Sequence, residues 1–169
     1  KGLPAAPDGY AEGSVYDSCG IAIDGLNNAW ITNEESRNSI NGGVGSLTKF
    51  DASGNVLSAA GFTSGGIYFP EAIAADVDNV IWIADYGRSG ATLLAGNGNS
   101  LSGESGFSTL ELPFPVAVAV DGTHDAWFAA QGSAVRVTPY GIVSRFSCGE
   151  SSDGIACDHA GMVWVADYS

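Results

Sequence analysis

Two carboxylates, Glu71 and Asp153, each stand one residue ahead of closely similar short segments, Ala72-Ile-Ala-Ala-Asp76 and Gly154-Ile-Ala-Cys-Asp158. If the fold brings the starts of those segments to one mouth, the two side chains can bind Ca²⁺ or a similar hard cation, which takes about six to eight oxygen ligands. Water bound to such a metal could then serve hydrolysis. The plain alternative is a pair of solvated loop carboxylates. Glu34, Glu35 and Arg37 lie in a polar, glycine-rich stretch, 33–46, suited to the rim of a binding surface or to a surface loop without a partner. Cys148 and Cys157 flank the entry to the last of these segments and can form a disulfide clip worth about 2–3 kcal/mol, or stay as buried thiols.

Other chemistries lack necessary parts. No Gly-x-Ser-x-Gly elbow supports a serine hydrolase of that kind. The glycine-rich run 96–106 has no Gly-Lys followed by Ser or Thr, which removes a phosphate-binding loop. Asp76-Val-Asp78-Asn79 opens like an EF-hand loop, but glycine is missing at its sixth position and glutamate at its twelfth. His124 and His159 both fall in hairpin turns and read as exposed turn residues, on the face opposite the two carboxylates.

The elements that must position these groups come from an internal repeat. Gly20-Ile-Ala-Ile-Asp24, Ala72-Ile-Ala-Ala-Asp76, Ala117-Val-Ala-Val-Asp121 and Gly154-Ile-Ala-Cys-Asp158 each end in Asp, and six residues after each Asp comes one of the four tryptophans, Trp30, Trp82, Trp127 and Trp164. The marker aspartates are 52, 45 and 37 residues apart. Each reads as an Asx-turn residue closing a first hairpin. A second hairpin follows in Leu47–Leu57 and Val135–Val143, with a weaker copy in Thr92–Leu101. Gly54, Gly141 and Gly98 stand in these where a turn needs positive φ. The first two strands of each unit are apolar or small on both faces, so each sheet must be sandwiched between others. Four-stranded blades arranged radially satisfy that demand. The expected fold is therefore all-β: a β-propeller of four-stranded antiparallel blades, with three complete units and half of a fourth, part of a six- or seven-bladed ring. The expected units are 20–61, 72–103, 117–148 and a partial 154–169, after an N-terminal extension at 1–19.

In such a fold the loops entering each innermost strand gather on one face around the channel. The entry residues of the four units are Cys19, Glu71, Val116 and Asp153. Six Lys plus Arg against 19 Asp plus Glu leave a net charge of −13, which repels phosphate backbones and anionic headgroups, so nucleic acid and membrane insertion are not expected. Gly at 24 of 169 residues is about twice the usual share and suits tight turns between short strands.

The units resemble NHL repeats of bacterial secreted proteins, with Gly20 to Gly61 the best match and the likeness running over 20–169. The resemblance implies a six- or seven-bladed propeller in a secreted, extracellular or periplasmic setting. Ser152-Asp153-Gly154 also resembles the Pro-Asp-Gly entry motif of gluconolactonase and senescence-marker propellers, whose Asp ligates metal. Phe69-Pro70-Glu71 is a looser match, and the Pro-Asn-Gly entry of that family does not occur here. Three functions follow as expectations: a non-enzymatic scaffold binding a protein or glycan through its loops, a structural subunit that self-associates, and a metal-dependent lactonase or lyase-like enzyme using calcium.

Overall fold

The computed structural model describes residues 15–34, 45–58 and 60–168. Glu35 and Arg37 of the expected rim, and most of the N-terminal extension, lie outside the described residues. The strands β1 (Ser18–Ile23), β2 (Ala29–Asn33) and β3 (Ser46–Phe50) form the first sheet. The second contains β4 (Pro70–Ala75), β5 (Ile81–Asp85), β6 (Gly90–Leu94) and β7 (Phe107–Ser108). The third contains β8 (Ala117–Val120), β9 (Ala126–Ala130), β10 (Ser133–Val137) and β11 (Val143–Ser147), and the last is the pair β12 (Ser152–Cys157) and β13 (Val163–Asp167). All pairings are antiparallel between neighbours in sequence. Among the described residues no helix is long and apolar enough to cross a membrane.

The outer strands depart from two regular hairpins. In the first blade the fourth position is held by isolated bridges of Val56 to Phe50 and Phe62 to Leu47. The cause is a serine: Ser58 Oγ takes the Lys49 N–H at 2.7 Å, where a regular ladder would use a backbone carbonyl. Ser102 Oγ takes the Leu93 N–H in the same way in the second blade. There the true outer strand is β7, which lies beyond residue 103. Gly54, Gly98 and Gly141 have φ of 85°, 86° and 79°, as the turns require.

The sheets pack face to face, and the cores lie between blades. On β5, Ile81 and Ile83 face the first blade and join Trp30, Leu47 and Ile73. Trp82 and Ala84 face the other way and join Phe128, Val135 and Val137 of the third blade. This is the two-faced burial that apolar residues at successive positions predict. Each tryptophan points towards the following blade, so Trp30 and Trp82 are fully buried, whereas Trp164, with no described blade after it, is 64% exposed. Ile21 and Ile23 are bare on the opposite side of the first blade.

The marker aspartates lock the first hairpin of every blade. Asp24 Oδ1 accepts the backbone N–H groups of Leu26 and Asn28, and Oδ2 accepts Trp30 Nε1–H at 2.9 Å. Asp121 does the same for Thr123, Asp125 and Trp127, and Asp158 for Ala160, Met162 and Trp164. Burial pushes the Asp24 and Asp121 carboxyls upward, but these donors outweigh it and hold both below the ordinary range. Asp24 also faces Lys49 Nζ at 3.8 Å, and that ammonium lies over the Trp30 ring and donates to Gly96 O of the second blade.

The second blade differs. Asp76 Oδ1 caps Asp78 and Val80, yet its Oδ2 meets His124 Nδ1 of the third blade at 3.2 Å, and buried Trp82 Nε1 has no hydrogen-bond acceptor. His124 was expected to be a simple exposed turn residue; it is a half-exposed bridge between two hairpins, with Asp78 Oδ2 at 3.6 Å.

Asp24→Ala should cost about 2–4 kcal/mol of unfolding free energy, because Trp30, Asn28 and the nearly buried Lys49 lose one shared acceptor. Asp158→Ala, in an exposed hairpin, should cost clearly less. Urea titrations of both variants check this, and equal losses would contradict the assignment.

Candidate functional site at the entry face

The innermost strands stand side by side, β1 next to β4, β4 next to β8 and β8 next to β12. The approach is close: a Cβ on Gly20 would lie 3.3 Å from Ala72 Cα and 3.1 Å from Thr32 Oγ1. The hairpins bearing His124 and His159 project from one end of these strands. The entry residues lie at the other.

Two backbone devices shape the entry end. The ladders of β1, β4 and β12 shift register between Ser18 and Ile21, Pro70 and Ala72, and Ser152 and Gly154. Cys19, Glu71 and Asp153 therefore sit in β-bulges, which turn a side chain out of the regular alternation. Two residues before the entries of the first three blades, Asp17, Phe69 and Phe114 have φ of 42°, 49° and 46°. Left-handed backbone at non-glycine residues is strained, and it is held here by repeated contacts.

In the first, second and fourth blades those contacts centre on the last residue of the second strand; in the third that residue is Ala130, and Phe114 N–H donates to Ser89 Oγ while Gln131 N–H donates to Pro113 O. Asn33 Oδ1 accepts Tyr16 N–H, Asp85 Oδ1 accepts Tyr68 N–H, and Asp167 Oδ1 accepts Ser151 N–H. The following residue closes a second bond, from Glu34, Tyr86 and Tyr168 N–H to the carbonyls of Asp17, Phe69 and Ser151. Asp85 is buried, and desolvation pushes its carboxyl up to about 7 against hydrogen bonds from Thr92 Oγ1 and Tyr68 N–H and the charge of Arg88. Thr92 Oγ1 lies within reach of both Asp85 Oδ2 and Gly65 O. A protonated Asp85 lets Thr92 donate to Gly65, so the neutral acid satisfies the chain completely.

The entry face divides into two neighbourhoods. Cys19 Sγ lies 3.8 Å from Glu34 Oε2 and 3.7 Å from Asp17 O. Its thiol is pushed up by burial and then by the charges of Glu71 and Glu34. Asp153 belongs to a separate cleft of about 310 Å³, with Tyr86, Phe114, Val116, Gln131, Ser151 and Ser152. The Tyr86 and Phe114 rings are 5.3 Å apart, and both are well exposed, at 42% and 47%.

Of the residues singled out from sequence, Glu71 and Asp153 share the entry face but not a cleft, and Glu34 joins Glu71 beside Cys19. Among the described residues no three His, Cys, Asp or Glu gather as a group that could hold a metal ion. Cys148 and Cys157 are both free thiols; Cys148 Sγ lies 3.4 Å from Ser152 Oγ. Tyr86, Phe114 and Gln131 were not singled out from sequence, since no motif marks them.

No protein-family model matches the chain, and no curated protein matches it. Solved structures do. A streptogramin B lyase superposes with a TM-score of 0.68 at 19% identity, over 96% of this chain and 49% of its own. Virginiamycin B lyase from Staphylococcus aureus gives 0.65 at 18%, over 88% and 48%. Regucalcin from Agrobacterium tumefaciens, a calcium-binding protein, gives 0.57 at 19%, over 82% and 48%. The chain folds as β-propeller blades. It spans about half the length of the propellers it matches, and at these identities the likeness concerns fold alone.

Asp85→Asn should remove a pH dependence. The buried acid stabilises the fold most below about pH 4, and that contribution declines as pH rises to about 7 and stays lost above it. Asn33 already does the same job in the first blade, so the variant should gain about 1–3 kcal/mol at pH 8 and show a flatter profile between those limits. Urea midpoints across pH check this, and a loss at pH 8 would refute it. Cys19, although exposed, should alkylate slowly with iodoacetamide at pH 7.5, and Glu71→Gln should speed it about two- to fivefold by lowering the thiol pKa; an unchanged rate would separate the two residues.

Proposed function

We propose that this chain is part of a secreted NHL-type propeller that acts as a binding scaffold, and that its channel face receives a cationic segment of a partner protein. One observation carries the reading: the exposed Tyr86 and Phe114 rings stand over the same cleft as Asp153. Aromatic faces attract cations, and an adjacent carboxylate adds charge and hydrogen-bond acceptors. A net charge of −13 favours the approach of basic partners. The bulges and clasps that hold this face limit the ordering that binding would require.

A self-associating structural role has its own support in the exposed Ile21, Ile23 and Trp164 on the first and last blades. A calcium-dependent enzyme draws support from the propeller neighbours, which include lyases and a calcium-binding protein, and from Glu71 and Asp153 sharing one face.

The test is calorimetric titration with a short, capped peptide containing two Arg and two Lys. Binding should weaken with salt, and Tyr86→Ala and Asp153→Asn should each reduce affinity about three- to thirtyfold. Binding indifferent to both substitutions would defeat the reading. Calcium titration and native mass on the same sample report on the other two: stoichiometric calcium supports the enzyme, and concentration-dependent growth in mass supports the assembly.

A further inference from the structure

A cavity of about 480 Å³ lies at the outer part of the second blade, apart from the entry-face cleft. One wall is the connection 63–67 that leads into β4. The opposite wall is the outer segment of the blade at Ser100, Gly103 and Glu104, and Arg88 closes the side. The walls are built to stay close. Gly65 and Gly66 have φ of 80° and 77°, and a Cβ on them would lie 2.6 Å from Thr92 Cγ2 and 3.0 Å from Ser105 C. Ser64 Oγ donates to Gly98 O and Ser100 Oγ to Gly103 O, both at 2.6 Å, and fully buried Ile67 supplies an apolar floor.

The charges in this cavity are unusual for the chain. Lys49 and Arg136 pair with Asp24 and Asp125, and Arg145 donates to Gln131 O. Arg88 has no hydrogen bond or ion pair among the described residues, although acidic groups outnumber basic ones threefold; its guanidinium lies 5.8 Å from the Tyr68 ring. Glu104 lines the same cavity without meeting Arg88 within 4.0 Å. Among the described residues neither head is taken up by a hydrogen bond or close ion pair, although the charge of Arg88 also acts on buried Asp85.

We infer that this cavity binds a small zwitterion of the α-amino-acid type, its carboxylate on Arg88 and its ammonium on Glu104. Guanidinium and carboxylate pair through two parallel hydrogen bonds, and a glutamate is the matching acceptor for an ammonium group. A plain anion would face Glu104 and the field of a strongly acidic chain, and a plain cation would face Arg88. A zwitterion meets neither penalty, and Ile67 favours one with an apolar side chain.

The experiment titrates L-leucine into the ¹⁵N-labelled intact protein, with N-acetyl-L-leucine and L-leucinamide as controls. Leucine should move the amide resonances of Gly65, Gly66 and Gly103, and both controls should bind at least tenfold more weakly. Arg88→Gln and Glu104→Gln, each with an otherwise unchanged spectrum, should each weaken leucine at least tenfold. No response to leucine up to about 10 mM, where the binding energy would be under about 3 kcal/mol, overturns the inference. So does a control that binds as tightly as leucine, or binding unaffected by both variants.

Discussion

One carboxylate anchors the first hairpin of each blade. By accepting two backbone N–H groups it sets the turn of the first hairpin, and in three of the four blades its second oxygen also takes the indole N–H of the tryptophan six residues on. An indole held in this way has one available direction, towards the next blade. The large side chain that fills the space between blades is therefore aimed by a hydrogen bond made within its own hairpin. Short strands with little helix or long-loop support depend on such a local device, because an isolated hairpin is marginal in water.

The second blade tests how far that device can bend. Asp76 keeps its two turn bonds but gives its outer oxygen to His124, leaving Trp82 buried and unsatisfied at Nε1. An unpaired buried donor costs about 1–3 kcal/mol. Trp82 is nonetheless packed between Phe107 and Phe128, and its position is set by the larger of the two inter-blade cores. Packing can thus replace the hydrogen bond where neighbours stand on both sides. The carboxylate so released ties the hairpins of adjacent blades together.

Much of the scaffold was legible because its signals are local. Asp and Trp six residues apart, Gly54, Gly98 and Gly141 in their turns, and apolar residues on both strand faces all report on short-range geometry, and the fold follows them. The outer strands were read as more regular than they are, since the serine hydroxyls that interrupt them, Ser58 and Ser102, act through a cross-strand bond nine residues away. The site was less legible still. Glu71 and Asp153 lie in bulges at the entry end of the inner strands, and a bulge is a property of two paired strands with no single-residue signature. Asn33, Asp85 and Asp167 recur visibly at the close of three of the four tryptophan strands, yet the groups they hold are backbone N–H groups of Tyr16, Tyr68 and Ser151, to which residue type gives no clue. The cleft of Tyr86, Phe114 and Asp153 draws on three blades, and no linear motif spans that distance.

The division between the two ends of the inner strands explains why this architecture accommodates such different neighbours. At the hairpin end every marker side chain is engaged by the fold, and substitution there costs stability. At the entry end the constraint falls on backbone: clasps from Asn33, Asp85 and Asp167 hold the chain through N–H groups, and the bulged residues they present are free to be Cys, Glu or Asp. Strain at Asp17 and Phe69 is sustained by the same clasps. Chemistry at the entry face can therefore change residue by residue without disturbing the interleaved cores. Propellers sharing this backbone at under 20% identity while bearing different names are the expected result.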